Sequence, residues 1–210
     1  VSAVTGQGIE ALRAYLHAAA QALPPRRDDG GFRLAVDRSF TLKGTGTVVT
    51  GTVFSGRVEL GDALVVAPSG IAVRLRGLHA MNQPAPQGRV GQRCALNLGG
   101  IGKEAIARGD WIVSLALHAS TARFDVRLTL SSQAPAALAH WAPVHLHLGA
   151  AHAMARVALL EGERLMPGES MLAQFVLDQP IGAWHGDRFI VRDADARATL
   201  GGGIVLDPAA

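Results

Sequence analysis

The feature that most constrains the fold of this chain is a change of hydrophobic periodicity at Gly31. From residue 32 onward, apolar and polar residues alternate in short runs, as in 32–36 and 71–76, and glycine-rich turns separate these runs. A period of two is typical of strands with one buried face, and short strands at this spacing indicate a sandwich or a barrel. Because one barrel of roughly a dozen strands exceeds the usual domain size, we expect an all-β fold of two tandem antiparallel β-barrels.

A different pattern precedes the strands. Residues 9–23 carry apolar side chains near one helical face with alanines between them, which predicts a short α-helix. The apolar positions are Ile9, Leu12, Leu16 and Leu23. The pair Pro24-Pro25 should end this helix, and the polar, glycine-containing residues 26–31 indicate a flexible linker.

The composition excludes several classes of protein. Apolar residues make up 49% and charged residues 18% of the 210 positions, so the chain can bury a core and is not of the disordered class. No apolar run reaches the roughly 18 residues of a membrane span, so we expect no membrane partner. The single cysteine, Cys94, excludes an internal disulfide and fits a reducing, cytoplasmic compartment. Cys94 lies in phase with Leu96 and Leu98, which predicts a buried, inert thiol. Separately, we expect the protein to be a monomer.

The charge is distributed unevenly along the chain. Residues 31–120 hold ten basic and five acidic groups, whereas residues 121–210 hold seven basic and nine acidic groups. A concentrated positive field suits a polyanion such as nucleic acid. An ordinary solvated surface explains the same counts, so charge alone leaves both interpretations open.

Several segments resemble the translational GTPases. SAVTGQGI at 2–9 is similar to their last guanine-binding motif, which makes Ser2 and Ala3 a remnant of that motif. FRLAVDRSF at 32–40 and KGTGTVVTGT at 43–52 resemble the opening of the second domain of elongation factor Tu, and residues 90–98 with 103–110 resemble its end. Residues 78–84 and 188–193 are similar to one family of translational GTPases, the selenocysteine-specific elongation factors.

The resemblance implies a domain plan and a function. Residues 1–30 would be the C-terminal remnant of a GTP-binding domain, 31–119 the β-barrel domain II and 121–210 the β-barrel domain III. The barrels would bind selenocysteinyl-tRNA for GTP-dependent delivery to the ribosome. The selenoprotein mRNA hairpin would be bound only by C-terminal domains that the chain lacks, and we expect the chain to be a segment of a longer protein.

The chain departs from this family in having no Gly-x-x-x-x-Gly-Lys-Ser/Thr phosphate loop. The nearest segment, residues 99–104, lacks the first glycine and has Glu104 where Mg²⁺ needs a hydroxyl. GTP and Mg²⁺ would therefore belong to the parent protein. We expect no cofactor and no GTP hydrolysis for this chain.

The resemblance also implies a pocket for the aminoacyl end of the tRNA, formed by Asp37, Arg38 and Arg93, with His79 as a further donor. A selenol is largely ionised at neutral pH whereas a serine hydroxyl is not, so guanidinium groups would favour the selenium anion. Strand alternation places Asp37 and Arg38 on opposite faces, so both can line one pocket only if the strand ends or bulges there. An ordinary ion pair at a strand end is the alternative.

Contacts with the tRNA backbone would come from two regions. Lys43 and Thr45 lie in a glycine-containing turn that could bind phosphate, although a tight hairpin explains the glycines equally well. In domain III, contacts with the tRNA stem would come from Arg123, Arg127, Arg156 and Arg192.

The histidines His145, His147 and His152 form the one cluster that suggests a metal. No nearby cysteine or aspartate completes a ligand set, so we expect histidines on a barrel face and no metal site. The tryptophans are expected to fill the core or an interface; they are Trp111, Trp141 and Trp184.

Three other functions fit parts of the pattern. A related factor, such as elongation factor Tu or an initiation factor, would have the same barrels with a neutral amino-acid pocket. A metal-dependent hydrolase would use the histidine cluster. A structural, ribosome-associated barrel protein would bind no tRNA.

Overall fold

The computed structural model describes residues 1–24 and 28–210. Its first element is the helix α1, Ile9–Ala22, as the sequence predicts. No residue of α1 is buried, and its apolar face carries exposed leucines, as expected for a helix without a partner surface. The predicted stop at Pro24-Pro25 and the linker at 26–31 fall partly on residues 25–27, which lie outside the described residues. No helix in the described part of the chain is long and apolar enough to cross a membrane.

Six strands of the first half close into a barrel. The strands of this half are β1 (Arg33–Leu42), β2 (Gly46–Ser55), β3 (Arg57–Glu59), β4 (Ala63–Ala67), β5 (Ile71–Ala80), β6 (Gln83–Pro84), β7 (Gln87–Arg89), β8 (Arg93–Gly99) and β9 (Trp111–Ser114). The sheet order is β4-β9-β1-β2-β8-β5-β6, and the pairing of β4 with β5 closes it. We call this closed sheet the first barrel. Strands β3 and β7 form a separate two-stranded ribbon.

The second half forms another closed barrel after a 3₁₀ turn at Leu115–Leu117. Its strands are β10 (Thr121–Leu130), β11 (Leu138–Ala139), β12 (Ala142–Leu148), β13 (Ala151–Leu159), β14 (Arg164–Leu165), β15 (Ser170–Ile181), β16 (Arg188–Arg192) and β17 (Thr199–Asp207). The second barrel has the order β10-β15-β13-β12-β16-β17, and β11 pairs with β14. All these pairings are antiparallel, so the expected pair of antiparallel barrels is confirmed.

Alternating side chains fill each barrel, as a period of two requires. Val36, Val49 and Leu96 lie inside the first barrel, whereas Phe124 and Phe175 lie inside the second. Cys94 is 1% exposed and packs in the first core, which confirms the predicted buried thiol.

A buried ion pair joins the two barrels. The Arg33 guanidinium donates from Nη1 and Nη2 to the two carboxylate oxygens of Asp187, at 3.0 and 2.9 Å. Its Cζ lies 4.5 Å from the ring centre of Trp184 and 5.3 Å from that of Trp111. Trp111 belongs to the first barrel but packs in the core of the second, so one apolar core runs across the interface. The predicted filling role of these two tryptophans is confirmed, whereas Trp141 is 46% exposed and belongs to neither core cluster.

Candidate functional site

A β-bulge in β1 places two charged residues on the outer face of the first barrel. Val36 pairs with Gly51 and Arg38 pairs with Thr50, so Asp37 is an extra residue between two consecutive partners on β2. An extra residue interrupts the strict alternation of side chains. Asp37 and Arg38 therefore both lie beside Thr50. The strand bulges here, as it must if both residues are to line one pocket.

Asp37, Thr50 and Arg93 form a closed set of hydrogen bonds. Arg93 donates from Nε to Oδ2 of Asp37 at 3.1 Å and from Nη2 to Oδ1 at 2.9 Å. The Thr50 hydroxyl donates to the same Oδ1 at 2.6 Å and accepts a hydrogen bond from Nη2 of Arg93 at 3.1 Å. Two-pronged pairing with a carboxylate fixes the plane of a guanidinium, so Arg93 is held in one orientation.

This arrangement keeps the Asp37 carboxyl ionised. Burial raises the pKa of Asp37, but hydrogen bonds from Thr50 and Arg93 and the charges of Arg93 and Arg38 outweigh that effect. The pKa of Asp37 therefore lies below its ordinary value. The site combines two guanidinium groups with one carboxylate and so has a local excess of positive charge.

A small cavity of about 160 Å³ opens beside Arg93. Its lining residues are Thr50, His79, Asn82, Arg93, Cys94 and Ala95. We call it the Arg93 cavity. His79 reaches it because β5 pairs with β8, with His79 opposite Ala95.

A second cavity of about 250 Å³ shares His79 and Ala95 with the first. The other residues that line it are Phe40, Leu42, Thr45, Val48, Gly77 and Asn97. Three of these side chains are aliphatic or aromatic, so we call it the apolar cavity. The outer face of the first barrel thus carries a polar hollow and an adjoining apolar one.

Each barrel matches a family model of known proteins. Residues 125–210 match the family model of the "selenocysteine-specific elongation factor, beta-barrel domain", and residues 46–113 match that of "elongation factor Tu domain 2". Over 99% of its length the chain is 41% identical to the selenocysteine-specific elongation factor of Escherichia coli K12. The chain belongs to the family of selenocysteine-specific elongation factors, the SelB family. It is also 37% identical, again over 99% of its length, to the factor of Desulfomicrobium baculatum.

A solved structure of a bacterial selenocysteine-specific elongation factor, EF-Sec, superposes on 99% of this SelB-type chain with a TM-score of 0.85 and 27% identity. The chain spans 33% of that structure, 32% of the Escherichia coli relative and 33% of the Desulfomicrobium baculatum relative. What is observed here is therefore a SelB-type segment with barrels like those of elongation factor Tu.

The structure brings together only part of the predicted SelB-type pocket. Asp37 and Arg93 are paired, and Arg93 and His79 line one cavity. Arg38 is exposed and is not among the residues that line that cavity, although its charge acts on Asp37.

Lys43 and Thr45 lie exposed at the tip of the β1–β2 hairpin. Gly44 and Gly46 flank Thr45 with φ of 82° and 95°, a backbone conformation that favours glycine. The turn geometry therefore accounts for both glycines, while Thr45 also lines the apolar cavity.

The four arginines predicted to contact the tRNA stem lie on three strands of the second barrel. Arg123 on β10 and Arg156 on β13 both lie opposite Val176 on β15, so they flank one position of the outer face. Arg127 follows on the same face of β10, whereas Arg192 lies on β16 opposite His145.

The segment predicted to be a remnant of the guanine-binding motif forms a turn before α1. The amide of Gly6 donates to the carbonyl of Ser2 at 3.0 Å, and the amide of Thr5 donates to the Ser2 hydroxyl at 3.2 Å. Ala3 is exposed. Residues 99–104 do not fit a bound nucleotide phosphate, because they run into a three-residue 3₁₀ turn, Lys103–Ala105, and not into a helix.

The histidines lie on the outer face of the second barrel. His147 and His152 are opposite each other, with ring centres 6.3 Å apart, and His145 Nε2 lies 3.0 Å from the carbonyl oxygen of Ala194. Burial, followed by the charges of His152, Arg192 and His145, lowers the pKa of His147. Within residues 1–24 and 28–210, no three metal-ligating side chains are grouped closely enough to hold an ion.

Sequence reasoning missed Thr50 and Asn82. Thr50 lies in a β-branched run that indicates a strand but does not reveal which hydroxyl bonds to a charged group. Asn82 and the preceding Met81 both have positive φ, 65° and 53°, as in a tight hairpin turn. An asparagine between two strand patterns indicates such a turn, but it does not indicate that Asn82 lines the cavity.

Proposed function

We propose that the first barrel of this SelB-type chain binds the aminoacyl end of selenocysteinyl-tRNA and that the second barrel contacts the tRNA stem. The longer protein would deliver this tRNA to the ribosome in a GTP-dependent reaction. Domain boundaries at 1–30, 31–119 and 121–210 form part of the proposal. GTP and Mg²⁺ would bind elsewhere in the parent, because residues 99–104, the segment nearest to a phosphate loop, lead into a 3₁₀ turn and not into a helix.

The observation that carries the proposal is the guanidinium of Arg93 held beside a cavity. Nε and Nη2 of Arg93 are bound to Asp37 and Thr50, whereas Nη1 has no hydrogen-bond partner among the described residues. The His79 ring likewise has none there and lines the same cavity. The Arg93 cavity therefore offers donors to a small anionic group.

Charge is what distinguishes selenocysteine from its serine precursor at neutral pH. A selenolate can accept charge-assisted hydrogen bonds from Arg93, and the nearby Arg38 adds a favourable potential. One hydrogen bond to a charged group contributes about 1.5–3 kcal/mol, which corresponds to roughly ten- to a hundredfold in affinity. A neutral hydroxyl gains much less from the same donors.

The second barrel supports the proposal through exposed basic side chains. Arg123 and Arg156 flank Val176 on the outer face, with Arg127 further along β10. Contacts between such side chains and phosphates contribute affinity without sequence information. Binding through them should weaken steeply as salt is added. The ribosome, and an mRNA hairpin bound through C-terminal domains, would be partners of the parent protein in the cytoplasm.

The test is an Arg93→Ala variant, assayed with a GTP-binding domain restored upstream. We expect its affinity for selenocysteinyl-tRNA to fall about ten- to a hundredfold, while its affinity for seryl-tRNA falls by a few-fold at most. The matched control is Arg89→Ala. Arg89 is exposed, lies on β7 just before the turn that leads to Arg93, and pairs only loosely with Asp28, at 3.7 Å. Equal losses for both tRNAs would remove the selenolate pocket and would favour a factor with a neutral amino-acid site.

A further inference from the structure

We propose that Thr50 is a positioning residue that orients the Arg93 guanidinium toward the anion in the Arg93 cavity. This inference rests on the proposed function, because the anion is the one bound there. Thr50 itself need not contact the ligand. Its effect would be exerted through Asp37 and Arg93.

The first observation is the burial of a hydroxyl on an outer face. Thr50 points away from the barrel interior, as its pairing with Arg38 and its place in the cavity wall require. It is nevertheless only 8% exposed, because Asp37 and Arg93 cover it. A buried hydroxyl is costly unless it is hydrogen-bonded, and here both its donor and an acceptor position are used.

The second observation is that the three groups close a ring. The Asp37 Oδ1, Thr50 Oγ1 and Arg93 Nη2 atoms are 2.6, 3.1 and 2.9 Å apart in turn. Rotation of the Arg93 side chain therefore breaks bonds to two residues at once. A long arginine side chain on a surface has many rotamers, and this ring removes most of that freedom before a ligand arrives.

Because of this ring, the two edges of the Arg93 guanidinium differ in what they bind. The Nε–Nη2 edge is bound to protein, while Nη1 has no hydrogen-bond partner among the described residues and Arg93 lines the cavity. An anion can then bind to Arg93 without displacing Asp37. Without the Thr50 hydroxyl, the Asp37 carboxylate would lose one donor and Arg93 would lose one acceptor, so the pair could turn as a unit.

Thr47 provides a matched control on the same strand. It is buried to a similar degree, at 5% exposed, and its hydroxyl donates to the carbonyl of Ile101 at 2.9 Å. It does not line the Arg93 cavity. Thr47→Val therefore reproduces the loss of a buried hydroxyl from β2 without touching the ring.

The first measurement is made on the 210-residue chain. NMR titration of the Asp37 carboxyl should show its pKa rising toward the ordinary value in Thr50→Val, because the hydrogen bond that lowers it is lost. Thr50→Ser, which keeps the hydroxyl, should retain the lowered pKa, as should Thr47→Val. An Asp37 pKa unaltered by Thr50→Val would overturn the inference.

The second measurement is tRNA affinity with a GTP-binding domain restored upstream. We expect Thr50→Val to weaken selenocysteinyl-tRNA binding about tenfold and to reduce its preference over seryl-tRNA, while Thr50→Ser stays within about threefold of the parent. Thr47→Val should leave the preference unchanged. A preference that survives Thr50→Val, or is lost equally in Thr50→Ser, would contradict the positioning role.

The two proposals fail in different ways. If the unsubstituted protein binds selenocysteinyl- and seryl-tRNA equally well, the proposed function fails. The positioning of Arg93 by Thr50 is then decided by the Asp37 titration alone. If the unsubstituted protein discriminates but Thr50→Val does so equally well, the function stands and the inference about Thr50 is wrong.

Discussion

A carboxylate lies at the centre of the basic site in the first barrel. Asp37 accepts hydrogen bonds from both Arg93 and Thr50, so part of the arginine's charge is already satisfied in the free protein. A bare guanidinium would attract any small anion, whereas this one presents a single free nitrogen beside a cavity of limited size. If the proposed anion binds here, its selectivity depends on the one guanidinium nitrogen of Arg93 that has no hydrogen-bond partner among the described residues.

The lowered pKa of Asp37 makes the stability of the site depend on pH in one direction. Because its folded pKa lies below the ordinary value, the ionised carboxylate stabilises the fold above that value. This contribution is lost as the pH falls through the folded pKa. Asp37→Asn should therefore show a shallower loss of stability in acid than the parent chain.

Urea unfolding at a series of pH values from neutral to strongly acidic measures this difference. The matched control is Asp195→Asn, since Asp195 is exposed in the loop between β16 and β17 and does not touch Arg93 or Thr50. If the parent chain and Asp37→Asn lost stability in parallel through the acid range, the ion pair would contribute nothing to the fold.

The bulge in β1 shows where prediction from the sequence stops. Alternation predicted a strand from Phe32 and showed that Asp37 and Arg38 could share a pocket only across an irregularity. The irregularity itself depends on how β1 aligns with β2, which is a non-local property. The strands could therefore be predicted, whereas the convergence of Asp37, Thr50 and Arg93 could not.

Strand β17 forms although the local preference of its glycines is against a strand. Glycine disfavours strands, so local preference does not indicate a strand at residues 201–203. In the structure β17 begins at Thr199, and the Gly203 Cα lies so close to β10 that an added Cβ would overlap the carbonyl oxygen of Arg127. These glycines are required by close approach between strands, which the sequence alone does not reveal.

Gly203→Ala should therefore destabilise the second barrel. The added methyl would meet backbone and the Phe189 ring, at 2.8 Å, so we expect a loss of about 1–3 kcal/mol or more in the free energy of unfolding. Urea unfolding measures it. Gly162→Ala is the control, since its Cβ would make only an ordinary contact with Met171 at 3.7 Å. Equal stability of the two variants would contradict the close-approach explanation.

A charged residue that the sequence pattern places on a strand surface lies buried between the two barrels. Arg33 alternates with Phe32 and Leu34 as a polar residue should, yet its side chain is 13% exposed and is enclosed by Asp187, Trp184 and Trp111. Two of these three residues, Asp187 and Trp184, belong to the second barrel. The tandem architecture could be predicted from strand spacing, but the contacts that join its halves could not.

Arg33→Ala should loosen this junction. Removing one partner leaves the Asp187 carboxylate buried and without its cation, which typically costs about 3–5 kcal/mol. Tryptophan fluorescence during urea unfolding is a suitable measurement, because Trp111 and Trp184 flank the pair. Arg13→Ala removes an exposed ion pair with Glu10 and should change stability little. A variant at position 33 as stable as the one at position 13 would show that the junction does not depend on this pair.

The bulge at Asp37 also bears on how such a molecule diversifies. Its neighbours Val36 and Arg38 pair with the consecutive residues Gly51 and Thr50, so loss of the single codon for Asp37 would leave an uninterrupted ladder. The scaffold would persist while the acidic member of the ring disappeared. Descendants of one ancestral barrel can therefore acquire or abandon this charged ring by a one-codon insertion or deletion, with the surrounding architecture inherited intact.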